Sequence, residues 1–255
     1  MYTTTLESLP TQLEAYQEGV LLLIDKPLEW TSFDVVNRIR IALCKHFGIK
    51  KLKVGHAGTL DPLASGLLIL CIGKYTKNID LIQAQEKIYT GTIKIGATTP
   101  TYDMESEVDQ TFPIDHIDKE AIQNVKNRFL GSILQIPPIY SAIKKDGKRS
   151  YELARQGIDR QLEARPIEIK NLTLDDSQWP DLNFKITCSK GTYIRSLAHD
   201  IGKALGSGGY LTTLRRTGIG NYSVENAIKL DDFLSKYTQN NRQSTEISRR
   251  KYLKS

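Results

Sequence analysis

Gly55-His56-Ala57-Gly58-Thr59-Leu60-Asp61-Pro62-Leu63-Ala64-Ser65-Gly66 carries a single acid, Asp61, set between Leu60 and the Pro62-Leu63 pair. Glycine permits tight turns and close backbone approach. Pro62 fixes its own φ and pushes Asp61 towards extended geometry. The backbone under the carboxylate is therefore pinned, while its flanks are free to turn. Apolar neighbours make an unpaired charge costly, so Asp61 requires a cationic or hydrogen-bonding partner. A held, partly desolvated carboxylate suits a nucleophile or a base. Asp-Pro is also an ordinary turn signal, and local physics alone favours that plainer reading. His56, taken alone, reads as a hydrogen-bonded loop histidine.

Composition bounds the surroundings of this loop. A chain of 255 residues suits one large domain or two small ones, with ample core. The net charge of +6 is compatible with an anionic partner such as RNA without requiring one. Cys44, Cys71 and Cys188 are far apart, so neither a disulfide framework nor a zinc site is expected. His46, His56, His116 and His199 lack metal-ligand spacing. Gly73-Lys74 is not followed by Ser or Thr, so it is no phosphate loop. Gly206-Ser207-Gly208-Gly209 follows a helix pattern and lacks the dinucleotide fingerprint. No cofactor and no metal are expected. The N-terminus shows no signal peptide, and apolar runs such as 67–72 are too short for a bilayer. The expectation is a cytoplasmic monomer with no membrane association.

Hydrophobic patterning supplies the elements. Residues 19–24 read as a buried strand stopped by Pro27, and 67–72 as a second strand. Thr31 or Ser32 can cap a helix with Phe33, Val36, Ile39 and Leu43 on one face. Residues 87–96 alternate as a strand. Asp118 can cap a helix carrying Ile122, Val125 and Phe129, ended near Gly131. Two prolines at 137–138 then break regular structure. Lys144, Lys145, Lys148 and Arg149 follow, interleaved with Tyr140 and Tyr151. Cations with aromatics suit phosphates and bases, although a solvated basic loop has the same composition. A short helix is expected over 151–156. Strands are expected at 166–174 and over Leu182, Phe184, Ile186 and Cys188, then a helix to about Leu205 with Ile194, Leu197 and Ile201 inward. Arg195 lies off that stripe and reads as an exposed helix-start cation. A last helix is expected over 227–236.

The stretch Lys53–Gly66 resembles the catalytic signature of the TruB family of tRNA pseudouridine synthases. Further segments match in order: Asp25-Lys26-Pro27, the strand from Lys87 with Thr98–Asp103, Gln135–Glu152, Ser189–Leu197 and Tyr210–Thr217. The last is often written with His where Tyr210 stands. The matches cover roughly residues 19–225.

That resemblance implies an α+β pseudouridine synthase fold, with a central, mainly antiparallel sheet, flanking helices and an RNA-gripping insertion at about 135–165. The chain is expected to divide into a polar N-terminal segment, 1–18, a catalytic domain, 19–236, and a polar, basic tail, 237–255; many bacterial members of the family continue into a small C-terminal RNA-binding domain, and no such separate domain is expected here. The resemblance assigns Asp61 as the catalytic acid, Arg195 as its partner and Tyr89 as the aromatic stacked on the target base. His56, Tyr193, Leu211, Lys26, Lys144, Lys145, Lys148 and Arg149 are carried over as substrate-binding residues. The implied reaction converts uridine 55 in the T-loop of tRNA to pseudouridine by base flipping. The alternative is a non-catalytic tRNA-folding module using the same cleft; a weaker third reading is a guide-RNA-dependent relative. The intact set of Asp61, Tyr89 and Arg195 favours the enzyme.

Overall fold

In a computed structural model of the chain, the apolar run after Gly19 forms the strand Val20–Lys26, whose residues are almost all buried. The structure describes the backbone of residues 2–3, 5–139, 144–145, 148–149 and 163–237, with side chains over 5–139 and 163–237. The contacts gather into two units: Met1–Gln85 with Arg215–Ser255, and Glu86–Leu214.

In the first unit, Val20–Lys26 pairs antiparallel with Ala64–Ile72, from Val20 opposite Ile72 to Lys26 opposite Gly66. Val54–His56 also pairs with Ala64–Ile72, antiparallel. Tyr2–Thr3 and Ile228–Lys229 add short parallel pairings to Val20–Lys26. Residues 215–219 of the strand Gly209–Ile219 lie beside Ala64–Ile72. Alternation sends Val20, Leu22 and Ile24 into one core with Ile39, Leu43 and Phe233. Leu21 and Leu23 enter another with Leu67, Ile69 and Cys71. Both faces of these strands are covered, which is why they read as unbroken apolar runs. Each such buried side chain contributes about 1.5–3 kcal/mol.

The helix Ser32–His46 begins in a capping box: Asp34 N donates to Thr31 Oγ1 at 3.0 Å, and Thr31 N to Asp34 Oδ2 at 3.1 Å. Phe33, expected inward, is 66% exposed, and Ser32 takes a buried position. Side chains in a first turn lean back past the end of the helix, so Phe33 overshoots the core beneath. The expected last helix starts later. Residues 224–226 form a 3-10 turn, Ile228–Lys229 pairs with Ile24 and Asp25, and helix occupies 230–237. Burial of Ile228 against the first core overrides helical continuity there.

In the second unit, Lys87–Ile95, Asp181–Cys188, Arg165–Gln178 and Gly131–Gln135 form a run of antiparallel neighbours in that order. Residues 209–214 continue the sheet beside Lys87–Ile95. Gly91 permits that approach, because a Cβ there would stand 2.3 Å from Thr213 O. The strand expected at 166–174 runs the full length of Arg165–Gln178, since it hairpins directly into Asp181–Cys188. The helix Lys119–Phe129 is capped by Asp118 and buries Ile122, Val125 and Phe129, as expected. The helix Ile194–Ala204 follows the glycine turn at Gly191. Lys144–Lys145 and Lys148–Arg149 form a two-stranded antiparallel hairpin. The helix expected over 151–156 lies outside the described residues. The fold is thus mixed α and β with mainly antiparallel pairing, as the family resemblance implied; the patterning by itself suited α+β without selecting the topology. Among the described residues, no helix is long and apolar enough to cross a membrane.

Candidate active site

The Asp61 loop is fixed through its main chain. Leu60 is held twice by the buried Ser32: Leu60 N donates to Ser32 Oγ at 2.8 Å, and Ser32 Oγ to Leu60 O at 3.0 Å. Beyond the acid, Pro62 O accepts from Glu29 N at 2.8 Å. A tight turn, Ala64 N to Asp61 O at 3.1 Å, places Pro62 at the position where its fixed φ fits best. Before the acid, Arg216 Nη2 donates to Gly58 O at 3.0 Å and Nη1 to Thr59 O at 3.3 Å. The residue itself stays half-buried. The sequence identified the pinned acid; it did not identify Ser32 or Arg216 as what pins it.

Lys26 was carried over as a substrate-binding cation. It is wholly buried, and its Nζ donates to Pro27 O at 2.9 Å, Trp30 O at 2.6 Å and Pro62 O at 3.4 Å. It thereby ties the end of its strand to the Asp61 loop. Burial lowers its pKa to about 8, against the pull of Asp61 and with the repulsion of Arg216. His56 stands in the same unit; burial first, then Arg216, lowers its pKa, favouring a neutral imidazole. Its buried Nδ1 has no hydrogen-bond partner among the described residues, unlike the satisfied loop histidine of the plainer reading.

The Lys26 shift has a measurable sign. Its folded pKa lies below the unfolded value of about 10.4, so between the two the unfolded chain holds more protons and rising pH favours the fold. Lys26→Met leaves carbonyls unpaired and is expected to lower the urea midpoint at pH 7. The gap to wild type should widen by pH 9.5. A gap that narrows over that range would remove Lys26 as the titrating group.

The second unit holds Tyr89, Tyr193, Arg195 and Leu211. Tyr89 lies on the inward face of its strand, opposite Ile186, and is buried; burial alone fits both a core tyrosine and a pocket wall. Tyr193 precedes the helix Ile194–Ala204 and is bracketed by the buried Gln135, with Tyr193 N to Oε1 at 2.8 Å and Nε2 to Tyr193 O at 3.0 Å. Ser196 Oγ adds a bond to Ile136 O at 2.8 Å. Arg195 is aimed from this fixed helix start. It is 6% exposed, correcting the reading of an exposed cation. Its Nη1 lies 3.7 Å from Asp103 Oδ2 and 3.4 Å from Thr101 O. Between those two, Tyr102 has φ +61 and stacks on His199 at 4.1 Å. Leu211 N donates to Tyr102 O at 3.0 Å, so Leu211 and Arg195 grip one turn. Asp103 and Gln135 were missed as site residues, although both lay in quoted segments, Thr98–Asp103 and Gln135–Glu152.

Lys144, Lys145, Lys148 and Arg149 come together on the hairpin, Lys145 opposite Lys148 and Lys144 opposite Arg149. Among the described residues, no group of His, Cys, Asp and Glu could hold a metal ion.

These features define a mixed α and β protein with a mainly antiparallel sheet and a half-buried carboxylate on a clamped loop. Two family profiles cover most of the chain: "TruB family pseudouridylate synthase (N terminal domain)" at residues 45–194 and "tRNA pseudouridylate synthase B C-terminal domain" at 195–255. Similar curated proteins include tRNA pseudouridine synthase B of Flavobacterium johnsoniae, 55% identical over 86% of this chain and 96% of that protein. The protein of the same name from Phocaeicola vulgatus is 50% identical over 86% and 93%. Among solved structures, a chain of a Cbf5–Nop10–Gar1 complex matches with TM-score 0.66 and 28% identity. That match covers 93% of this chain and 59% of the other, so this chain spans about three fifths of that neighbour. The chain belongs to the TruB family of pseudouridylate synthases.

Proposed function

We propose that this protein isomerises uridine 55 in the T-loop of tRNA to pseudouridine, with Asp61 as the essential acid. The observation that carries the reading is the Asp61 loop, clamped at Gly58, Thr59, Leu60 and Pro62 while the acid itself stays half-exposed. Holding a reacting group in place removes entropy from the barrier, and a clamped main chain is how a short side chain is held. The reaction breaks the bond from ribose C1′ to N1, rotates the uracil and joins C1′ to C5. The C5 hydrogen leaves as a proton and N1 gains one, so product and substrate are isomers and no redox partner is needed. The target base first leaves its stack. Asp61 then attacks the ribose or the base, or removes a proton from the sugar; the three routes share the need for an ionised carboxylate. Arg195 keeps Asp61 ionised and oriented, Tyr89 stacks on the extruded base, and His56 assists its departure from the loop.

The test is release of tritium from C5-labelled uridine in a tRNA transcript, with mapping of the modified position. One site per tRNA, at position 55, is expected. Release elsewhere overturns the position. No release by a folded, tRNA-bound protein favours the folding module instead.

The basic hairpin makes a separate prediction. Four phosphate contacts would steepen the salt dependence of binding by roughly 3 in d log K/d log [salt]. Changing Lys144, Lys145, Lys148 and Arg149 together to Ala should weaken tRNA binding at low salt and flatten the slope by about that amount. An unchanged slope would make the hairpin a solvated loop.

A further inference from the structure

We infer that Arg216 is a positioning residue for Asp61, acting through the carbonyls that precede the acid; the inference rests on the function proposed above. Arg215 and Arg216 are adjacent in one strand, and strand alternation sends them to opposite faces. Arg215 is partly exposed and forks onto Asp25, with Nη1 to Oδ1 at 3.0 Å and Nη2 to Oδ2 at 2.7 Å. Arg216 is 1% exposed. Its Nε donates to Leu67 O at 2.8 Å, Nη2 to Gly58 O at 3.0 Å and Nη1 to Thr59 O at 3.3 Å. One rigid fork thus joins the strand that leaves the Asp61 loop to the segment that enters it. An apolar side chain would fill the same volume at lower desolvation cost. Only a guanidinium reaches three carbonyls at fixed angles.

One glycine of the loop signature, Gly66, is explained by the same residue. Gly66 has φ +102, and a Cβ there would stand 2.3 Å from Arg216 O and 2.9 Å from Arg216 N. Gly58 is required by its φ of +114 rather than by space, since a Cβ there would meet Arg216 Nη1 at an ordinary 3.5 Å. Gly66 admits the backbone of Arg216, and Gly58 presents its carbonyl to the side chain. Ser32 and Lys26 hold Leu60 and Pro62, while Arg216 holds Gly58 and Thr59, so each supports a different part of the loop.

The test compares Arg216→Lys and Arg216→Ala with wild type in single-turnover tritium release, tRNA binding and amide hydrogen exchange without RNA. Lysine keeps the charge but loses the fork. A misplacement of about 1 Å costs roughly 100-fold in rate. Both variants should therefore lose about 100-fold or more in rate, with tRNA affinity within about threefold. Exchange should quicken at Ala57, Leu60 and Ala64, while Val20–Lys26 stays protected. Guanidinium ion should restore part of the rate to Arg216→Ala and none to wild type. A rate within about threefold of wild type overturns the inference. So does faster exchange spread evenly over the first unit, or failure of both variants to fold, since Arg216 would then serve the core. If wild type releases no tritium the proposed reaction fails, whereas the exchange pattern still decides whether Arg216 holds the loop.

Discussion

Asp61→Asn is expected to release no tritium above background, with protein in excess over tRNA, while still folding and binding tRNA. Asparagine has nearly the shape of aspartate but carries no charge, and it cannot attack carbon or take up a proton as a carboxylate does. The bonds that shape the loop run through Ser32, Lys26, Glu29 N and Arg216 to main-chain atoms, so they survive the substitution. Loss of an essential nucleophile or base costs many powers of ten, each about 1.4 kcal/mol of barrier. Binding should change far less, because the hairpin cations are untouched. Release comparable to wild type would refute Asp61 as the essential acid.

The second large effect is expected at Arg195. Arg195→Lys keeps one positive charge but loses the guanidinium's remaining donors and the fixed plane that aims Nη1 at both Asp103 Oδ2 and Thr101 O. The pair is nearly sealed, with side chains 7% and 9% exposed, so water cannot replace the lost bonds cheaply. A fall of about 100-fold or more in single-turnover rate is expected, with tRNA affinity within a few-fold. Asp103→Asn should move the rate in the same direction by weakening the hold on Arg195. If Arg195→Lys turns over at near the wild-type rate, Arg195 has no part in orienting the acid. If Asp103→Asn alone is silent, the ion pair is structural and Arg195 is held from elsewhere.

Much of this architecture was legible locally. The Val20–Ile24 run, the alternation of Leu182, Phe184, Ile186 and Cys188, and the Asp118 cap each reflect a period or a cap within one segment. The turn under Asp61 was legible for the same reason, since glycine, proline and aspartate restrict their own backbone wherever they stand; its reading as the candidate catalytic residue came from the family resemblance, because local physics favoured an ordinary turn. Phe33 shows the limit: its spacing suited the buried face, and its place in the first turn left it outside.

Which cation serves which oxygen was not legible, because that depends on residues brought together from distant parts of the chain. Arg216 reaches Gly58 across a separation of 158 residues, and Arg195 reaches Thr101 across 94. On the page, Lys26, Arg195 and Arg216 are charged residues near the ends or edges of regular elements, and charge alone suggests solvent. Burial reverses that expectation only where the fold offers several oxygens at once: three carbonyls to Lys26, three to Arg216, a carboxylate and a carbonyl to Arg195. A desolvated charge is tolerable only with such partners. The sequence by itself determined the strands, the caps and the acid on its glycine-flanked turn; the tertiary structure alone decided which buried cations hold that turn in place.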